Sequence, residues 1–387
     1  MHQTITQKFN DDLLLTESDR KLAFDLFPEL AHVLDFPELR ELFVQYEAQA
    51  NRAKTSRRRA GSVAIIFAAV ALLAASFTPL FERSCTDCLG GAFCAPWFSA
   101  VCSAHWLSVV VGISALLGVA GTLIGSIGVL TRQSKERWLC NRLMTERLRQ
   151  FQFQVLVCRI PEVLASTVDS QARERFVSDR KSWLREFRLT HEGRLAAKLR
   201  AVLEDDVEDD FLLHHDFESR HRFDATDRGL LRLFSAYRVL RLEHQLQYAD
   251  YKLRPDERFF STSCVRQLAI LRDVSLVLIF VVFVAHLAEV LSSGVWSDLP
   301  NTWVHVLIIW PVILLLAVRA IEDGLQPGRE VERYARYRSS MSSLLSRFNK
   351  AAENPEERIR LMLETERTVY QEMRGFLRTN HEARYVL

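Results

Sequence analysis

The chain has 387 residues, 49% hydrophobic and 25% charged, and its 50 Lys and Arg against 48 Asp and Glu leave a net charge of +2. A balance this close to neutral gives no reason to expect a nucleic-acid partner. The averages resemble those of a soluble protein, but they conceal a division between charge-free stretches and very charged helical ones.

Residues 11–50 read as two or three short helices, with Asn10 or Asp11 and Thr16 or Ser18 as starts and Pro28 and Pro37 as breaks. The basic run NRAKTSRRR follows, with Arg52, Lys54, Arg57, Arg58 and Arg59. Next comes GSVAIIFAAVALLAASFTPLF, Gly61 to Phe81, without a charge, and later LSVVVGISALLGVAGTLIGSIGVL, Leu107 to Leu130, equally uncharged. About 20 apolar residues of helix cross a bilayer core of roughly 30 Å, so each is read as a transmembrane helix. Between them, ERSCTDCLGGAFCAPWFSAVCSAHW holds Cys85, Cys88, Cys94 and Cys102.

Beyond the second span, SKERWLCNRLMTERLRQFQFQVLVCRI continues as helix away from the membrane, and its Trp138, Arg142 and Glu146 fall four apart on one face. Residues 170–203 are helical again. The acidic EDDVEDD, Glu204 to Asp210, and the loop LLHHDFESRHRF come next, and then a helix from Ala225 to about Leu253 behind Asp224 and Thr226. His214, His215, Asp216, Glu218 and His221 are metal-ligating types, yet adjacent histidines are an unspecific spacing, and a solvated connection is the expected reading. Two shorter apolar runs, Val274 to Leu291 and Trp303 to Val318, complete a second hairpin that carries His286, Glu289 and His305. The tail reads as helices near Arg329–Lys350 and Pro355–Arg378, with Pro355 suited to a first helical position.

Lysine and arginine placement sets the orientation. Arg132, Lys135 and Arg137 follow the second span, Arg266 and Arg272 precede the third, and Arg319, Arg329 and Arg333 follow the fourth. The short connections hold only Arg83. Both termini are therefore expected in the cytoplasm of an inner-membrane protein, with membrane lipids as partners of the arginine clusters. The cysteine loop then faces an oxidising side, which favours disulfides among Cys85, Cys88, Cys94 and Cys102. A zinc knot with His105 and a Cys85–Cys88 dithiol are the competing readings.

Small residues mark one face of each helix of the first hairpin: Gly61, Ala64, Ala68, Ala71 and Ala75, and Ser114, Gly118, Gly121, Gly125 and Gly128. Such rows let helices approach closely in lipid, and they are read as a packing seam. His286, Glu289 and His305 are the pore or gating residues of the second hairpin, since ionisable groups in spans are costly. Mutual or interfacial pairing is the plainer account of them. No nucleotide-loop, hydrolase-elbow or zinc-protease motif occurs, so no enzyme, catalytic residue, metal or cofactor is expected.

The expected architecture is all-α and polytopic, with four transmembrane helices as two hairpins plus a cytoplasmic helical domain. Its parts are residues 1–60, 61–130 with an outer loop at 82–106, 131–272, 273–320 and 321–387. The two halves share this layout, and the cytoplasmic helices of both are expected to form one domain.

The first hairpin followed by KERWLCNRLMTERLRQFQFQ resembles the SLATT type (SMODS and SLOG-associating two-transmembrane effectors) of prokaryotic immunity, whose pattern places a tryptophan, an arginine and a glutamate on the helix leaving the second span. Trp138, Arg142 and Glu146 fit that pattern. About residues 40–160 carry the likeness, the second half fits only by layout, and four spans instead of two is a departure. The resemblance implies a homo-oligomeric, pore-forming antiviral membrane effector, triggered by a nucleotide signal or a cytoplasmic partner protein. A membrane-anchored scaffold that recruits a soluble partner is the alternative.

Overall fold

The computed structural model describes residues 11–90, 132–204, 211–214, 223–224, 226–255, 263–292 and 301–383, with isolated positions between 109 and 121. Among the described residues the chain is all-helical, with no strand. The helices are α1 (Glu17–Leu26), α2 (Ala31–Leu34), α3 (Pro37–Gly90), α4 (Arg132–Cys158), α5 (Ile160–Val168), α6 (Ser170–His191), α7 (Leu195–Glu204), α8 (Arg228–Tyr237), α9 (His244–Leu253), α10 (Cys264–Ser292), α11 (Asn301–Leu325), α12 (Pro327–Lys350) and α13 (Pro355–Glu382).

Capping chemistry sets several of these boundaries. Thr16 caps α1 in a reciprocal box: the Asp19 amide donates to its hydroxyl at 3.1 Å, and its own amide donates to the Asp19 carboxylate at 3.2 Å. Asn354 accepts from the Glu357 amide at 3.0 Å, and Pro355 opens α13. The cap of α8 is Asp227, which accepts from the Gly229 and Leu230 amides, and Asp224 instead closes the turn before it onto Thr226. α3 runs unbroken from Pro37 to Gly90, so residues 82–90, read from sequence as the start of the outer loop, are helical. A Gly-Gly pair, Gly90 and Gly91, stands at its end.

The chain divides into two compact units. Unit one takes Met1–Ala53, Lys135–Pro255 and Arg329–His381; unit two takes Lys54–Ser134, Asp256–Gly328 and Glu382–Leu387. Unit one therefore collects helices from the beginning, middle and end of the sequence.

α4 is the axis of unit one. Nearly every side chain from Trp138 to Cys158 is buried, polar ones included. A helix enclosed on all sides must satisfy its polar groups internally. Gln154 does so twice, donating to the Phe211 carbonyl at 2.7 Å and accepting from the Leu213 amide at 2.7 Å, while Gln152 donates to the Leu34 carbonyl at 3.3 Å. Phe151, Phe153, Leu148 and Leu156 supply the apolar filling, against Phe36, Leu39 and Phe43 of the first helices, Leu233, Phe234 and Tyr237 of α8, and Met341, Phe348 and Met362 of the tail. Arg180 on α6 ends α2 by donating to the carbonyls of His32, Val33 and Asp35 at 3.0, 2.9 and 2.9 Å, with its guanidinium 4.1 Å from the centre of the Phe36 ring. Those are carbonyls a helix end leaves unpaired.

Two irregularities lie in unit one. Leu14, 1% exposed, has φ of 53°, a left-handed conformation that costs a non-glycine residue about 1–3 kcal/mol. The helix from Arg228 to Leu253 opens into a π-helix over Arg238–Glu243. π turns are uncommon and concentrate at functional positions.

Unit two holds two helices long and apolar enough to cross a membrane, the Pro37–Ser76 part of α3, which it shares with unit one, and Cys264–Ala288 of α10. Only 6% of the α10 window is buried, and Leu276, Phe280 and Phe283 are each about three-fifths exposed, so this is not the core helix of a water-soluble fold. α10 and α11 form an antiparallel hairpin: a Cβ on Gly328, just past α11, would stand 3.8 Å from Leu268 near the start of α10. α11 passes through Pro311 and packs Ile313, Ala317 and Ala320 against Ile65 and Ala69 of α3. Trp310 Nε1 donates to Ser76 Oγ at 3.0 Å, and Ser76 donates to the Leu73 carbonyl.

Candidate functional site

The densest concentration of functional side-chain chemistry is a chain of enclosed charges in unit one. It begins on the face of α4 singled out by its spacing. Arg142 and Glu146 form an ion pair one turn apart, and Glu146 also meets Arg149 at 3.2 Å. Arg149 Nε lies 3.1 Å from Asp12 Oδ2, and Asp12 is 3.9 Å from His244 Nδ1. Beside them, Arg241 of the π-helix grips Glu366 of α13 with two bonds of 2.9 and 2.8 Å, and Tyr237 donates to the same carboxylate at 2.9 Å. The Arg241 and Glu366 side chains are both fully buried. Tyr337 donates to Gln245 at 2.9 Å next to them.

The electrostatics follow from enclosure. Burial alone would raise the Glu146 carboxyl, but Arg142, Arg149 and Arg241 outweigh it and hold it below the usual range. Burial lifts the Tyr237 hydroxyl well above its ordinary value, and the Glu366 charge adds to this. His244 is pushed down, mainly by burial, with Arg149 and Arg241 adding and Asp12 opposing. Arg142 is raised: burial would lower it, and Glu146, Tyr248, Glu47 and Tyr334 together outweigh that.

Trp138, at the N-terminal end of the same face, packs edge-on against Phe376 with ring centres 6.1 Å apart, and the Arg142 guanidinium lies 5.8 Å from that ring. The guanidinium of Arg333, ion-paired to Glu330 and Glu372, lies 5.2 Å from the centre of the Phe376 ring. Trp138 and Arg142 thus join α4 to Phe376 of α13, which Arg333 of α12 also approaches, while the ion pairs of Glu146 lie within α4. Sequence spacing alone missed Asp12, His244, Arg241 and Tyr237, whose contribution comes from segments far from α4 in the chain.

Other expected residues fall as follows. Gly118 and Gly121 lie on helical turns against α3: added Cβ atoms would stand 3.1 Å from Ala71 Cβ, and 3.1, 3.2 and 3.4 Å from Phe67 Cβ, Ala68 N and Ala64 O. Ser114, Gly125 and Gly128 lie outside the described residues, and Gly61 and Ala75 are on α3. His286 is exposed on α10; Glu289 and His305 lie on α10 and α11 with side chains outside the description. Cys85 and Cys88 are on α3, again without described side chains, and Cys94 and Cys102 are outside the described residues. His214 is not on a solvated connection: it is 4% exposed, 4.7 Å from the Phe151 ring and 6.0 Å from Trp183, because the Gln154 bonds draw residues 211–214 into the core. His215, Asp216, Glu218 and His221 are outside the described residues, and among the described ones no three ligating side chains converge on a metal position.

The neutral histidines make unit one acid-sensitive. His32, 2.7 Å from Ser166 Oγ, is pushed down to about 4 by burial and by Arg173 and Arg180. Its ordinary value is 6.5, so the unfolded chain takes up a proton that the fold refuses, and stability falls as pH drops from 6.5 toward 4. His244 acts in the same direction. The ion-paired Glu146, whose ordinary value is 4.5, adds a further loss only below that pH. We expect the melting temperature of the purified protein to decline across pH 6.5 to 4, and His32→Gln to flatten that slope. A melting temperature constant across the window would contradict this account.

No protein-family model, curated protein sequence or solved structure matches the chain.

Proposed function

We propose that the chain is a non-enzymatic, homo-oligomeric membrane effector that depolarises the inner membrane when its cytoplasmic part is triggered. In this reading the four apolar segments span the bilayer as two hairpins with both termini in the cytoplasm. The observation that carries it is α3, one uninterrupted helix that gives Pro37–Ala53 to unit one and Lys54–Gly90 to unit two. A continuous hydrogen-bonded helix passes a displacement at one end to the other, where a flexible linker would absorb it. The exposed apolar surface of α10 supports lipid or subunit contact, and the exposed His286 within it supports a role in conduction. The resemblance to SLATT-type effectors supports a nucleotide signal or a protein partner as trigger and antiviral defence as setting. The arginines flanking the spans suit anionic lipid headgroups.

The test is membrane potential in cells under controlled expression, comparing the native chain with His286→Ala and Glu289→Ala at matched membrane levels. Depolarisation that both variants reduce several-fold is the expected result. Full membrane insertion with an unchanged potential would overturn the reading in favour of an anchored scaffold whose cytoplasmic helices recruit a soluble partner.

A further inference from the structure

The two irregular backbone segments of unit one touch each other. The turn Asp11–Leu13 packs against the π-helix Arg238–Glu243, and Leu14, the strained residue, follows directly. Four residues, Asp12 to Leu15, therefore carry two separate penalties. One is the left-handed backbone at Leu14. The other is the Asp12 carboxylate, wholly enclosed, with neither oxygen accepting a hydrogen bond of ordinary geometry among the described residues. Its compensation is Coulombic, from Arg149 on α4 at 3.1 Å, with the imidazole of His244, at the exit of the π-helix, 3.9 Å away.

What holds the segment is equally local. Leu13 and Leu14 are 2% and 1% exposed within the core, and Arg20 reaches back from α1 to donate to the carbonyls of Leu14 at 3.4 Å and Leu15 at 3.2 Å. The backbone strain at Leu14 and the desolvation of the Asp12 carboxylate lower the cost of lifting these four residues. The Arg149 ion pair opposes it, so the segment is held chiefly by that charge and by the Arg20 bonds. The π-helix is the element they would uncover. It contains the extra residue that sets Arg241 toward Glu366 and, three positions on, His244 toward Asp12. One residue of helical register is a rotation of about 100°, so a π turn that relaxes to α cannot keep both contacts.

We propose that Asp12–Leu15 is a detachable latch that holds the helix from Arg228 to Leu253 in its π register, and that releasing it lets the turn relax and repositions Arg241 and His244 against α4 and α13. This is a conformational device of the cytoplasmic helices, and it stands whether or not the membrane helices conduct.

The test is amide hydrogen exchange on the full chain in lipid nanodiscs, comparing the native protein with Asp12→Asn and Arg20→Ala. Asp12→Asn removes the charge and keeps the shape. Arg20→Ala removes only the bonds to the latch carbonyls and leaves Leu13 and Leu14 in place, so it decides the matter should the first variant fold poorly. The expected result in both is exchange at residues 238–243 faster by about fivefold or more, with α6 (Ser170–His191) unchanged, as for a local opening. Unchanged exchange at 238–243 in Arg20→Ala would overturn the proposal. So would acceleration by the same factor in α6, which marks general destabilisation.

Discussion

Replacing Glu366 by alanine is expected to destabilise unit one by about 3–5 kcal/mol, the cost of stranding one member of a buried ion pair. Glu366 is 0% exposed, as is Arg241, so the substitution leaves the guanidinium enclosed in the core without its partner. The Tyr237 hydroxyl loses its acceptor on that carboxylate as well, although the Met362 carbonyl at 3.1 Å remains to it. The double variant Arg241→Met with Glu366→Leu removes both charges and keeps the volume. It should recover most of the loss, because apolar replacement of a buried pair is commonly neutral or better. Chemical denaturation of the two variants, read by the near-ultraviolet signal of the buried aromatic residues, checks both statements. A Glu366→Ala protein within about 1 kcal/mol of the native chain would show that water enters the cluster, and the enclosure described above would then be wrong.

The second large effect belongs to unit two. Gly121→Leu should disrupt the packing of the 118–121 turns on α3. Its first side-chain atom would meet Ala68 N at 3.2 Å and Ala64 O at 3.4 Å, which are backbone atoms and cannot turn aside. Overpacking of this kind costs about 1–3 kcal/mol. Gly112 provides the control, since nothing lies within 4 Å of its Cβ position and Gly112→Leu should be tolerated. Thermal stability of both variants in the same detergent distinguishes them. Equal stability would mean that the seam carries no packing energy.

The helical class was legible because the chain has few glycines and prolines outside its breaks, and because capping signals such as Thr16 and Pro355 act locally. The all-round burial of α4 was not. RLMTERLRQFQFQ has charged or amide side chains at seven of its thirteen positions, and only the tertiary partners of Gln152, Gln154 and Arg147 show how they are satisfied inside. The spacing of Trp138, Arg142 and Glu146 placed them on one face, as i,i+4 geometry requires. Their partners depend on chain crossings that periodicity does not encode. Asp12 arrives from well over a hundred residues upstream, and Phe376 from more than two hundred downstream. The strain at Leu14 and the π turn at Arg238–Glu243 were invisible for a related reason. A leucine has no propensity for positive φ, and RVLRLE reads as ordinary α-helix, so in both cases tertiary contacts overrule local preference.

The assembly of unit one from the first, middle and last parts of the sequence fixes an order of events during synthesis. α4 can gather α1 and the start of α3 early, but Arg241 stays without its carboxylate until residue 366 has left the ribosome. Before that, the apolar stretches between residues 54 and 134 and between 256 and 328 have both been translated. Unit one therefore closes last, after both apolar segments have been made, and a nascent chain truncated before α13 would expose the aromatic and charged face of α4 to chaperones and proteases.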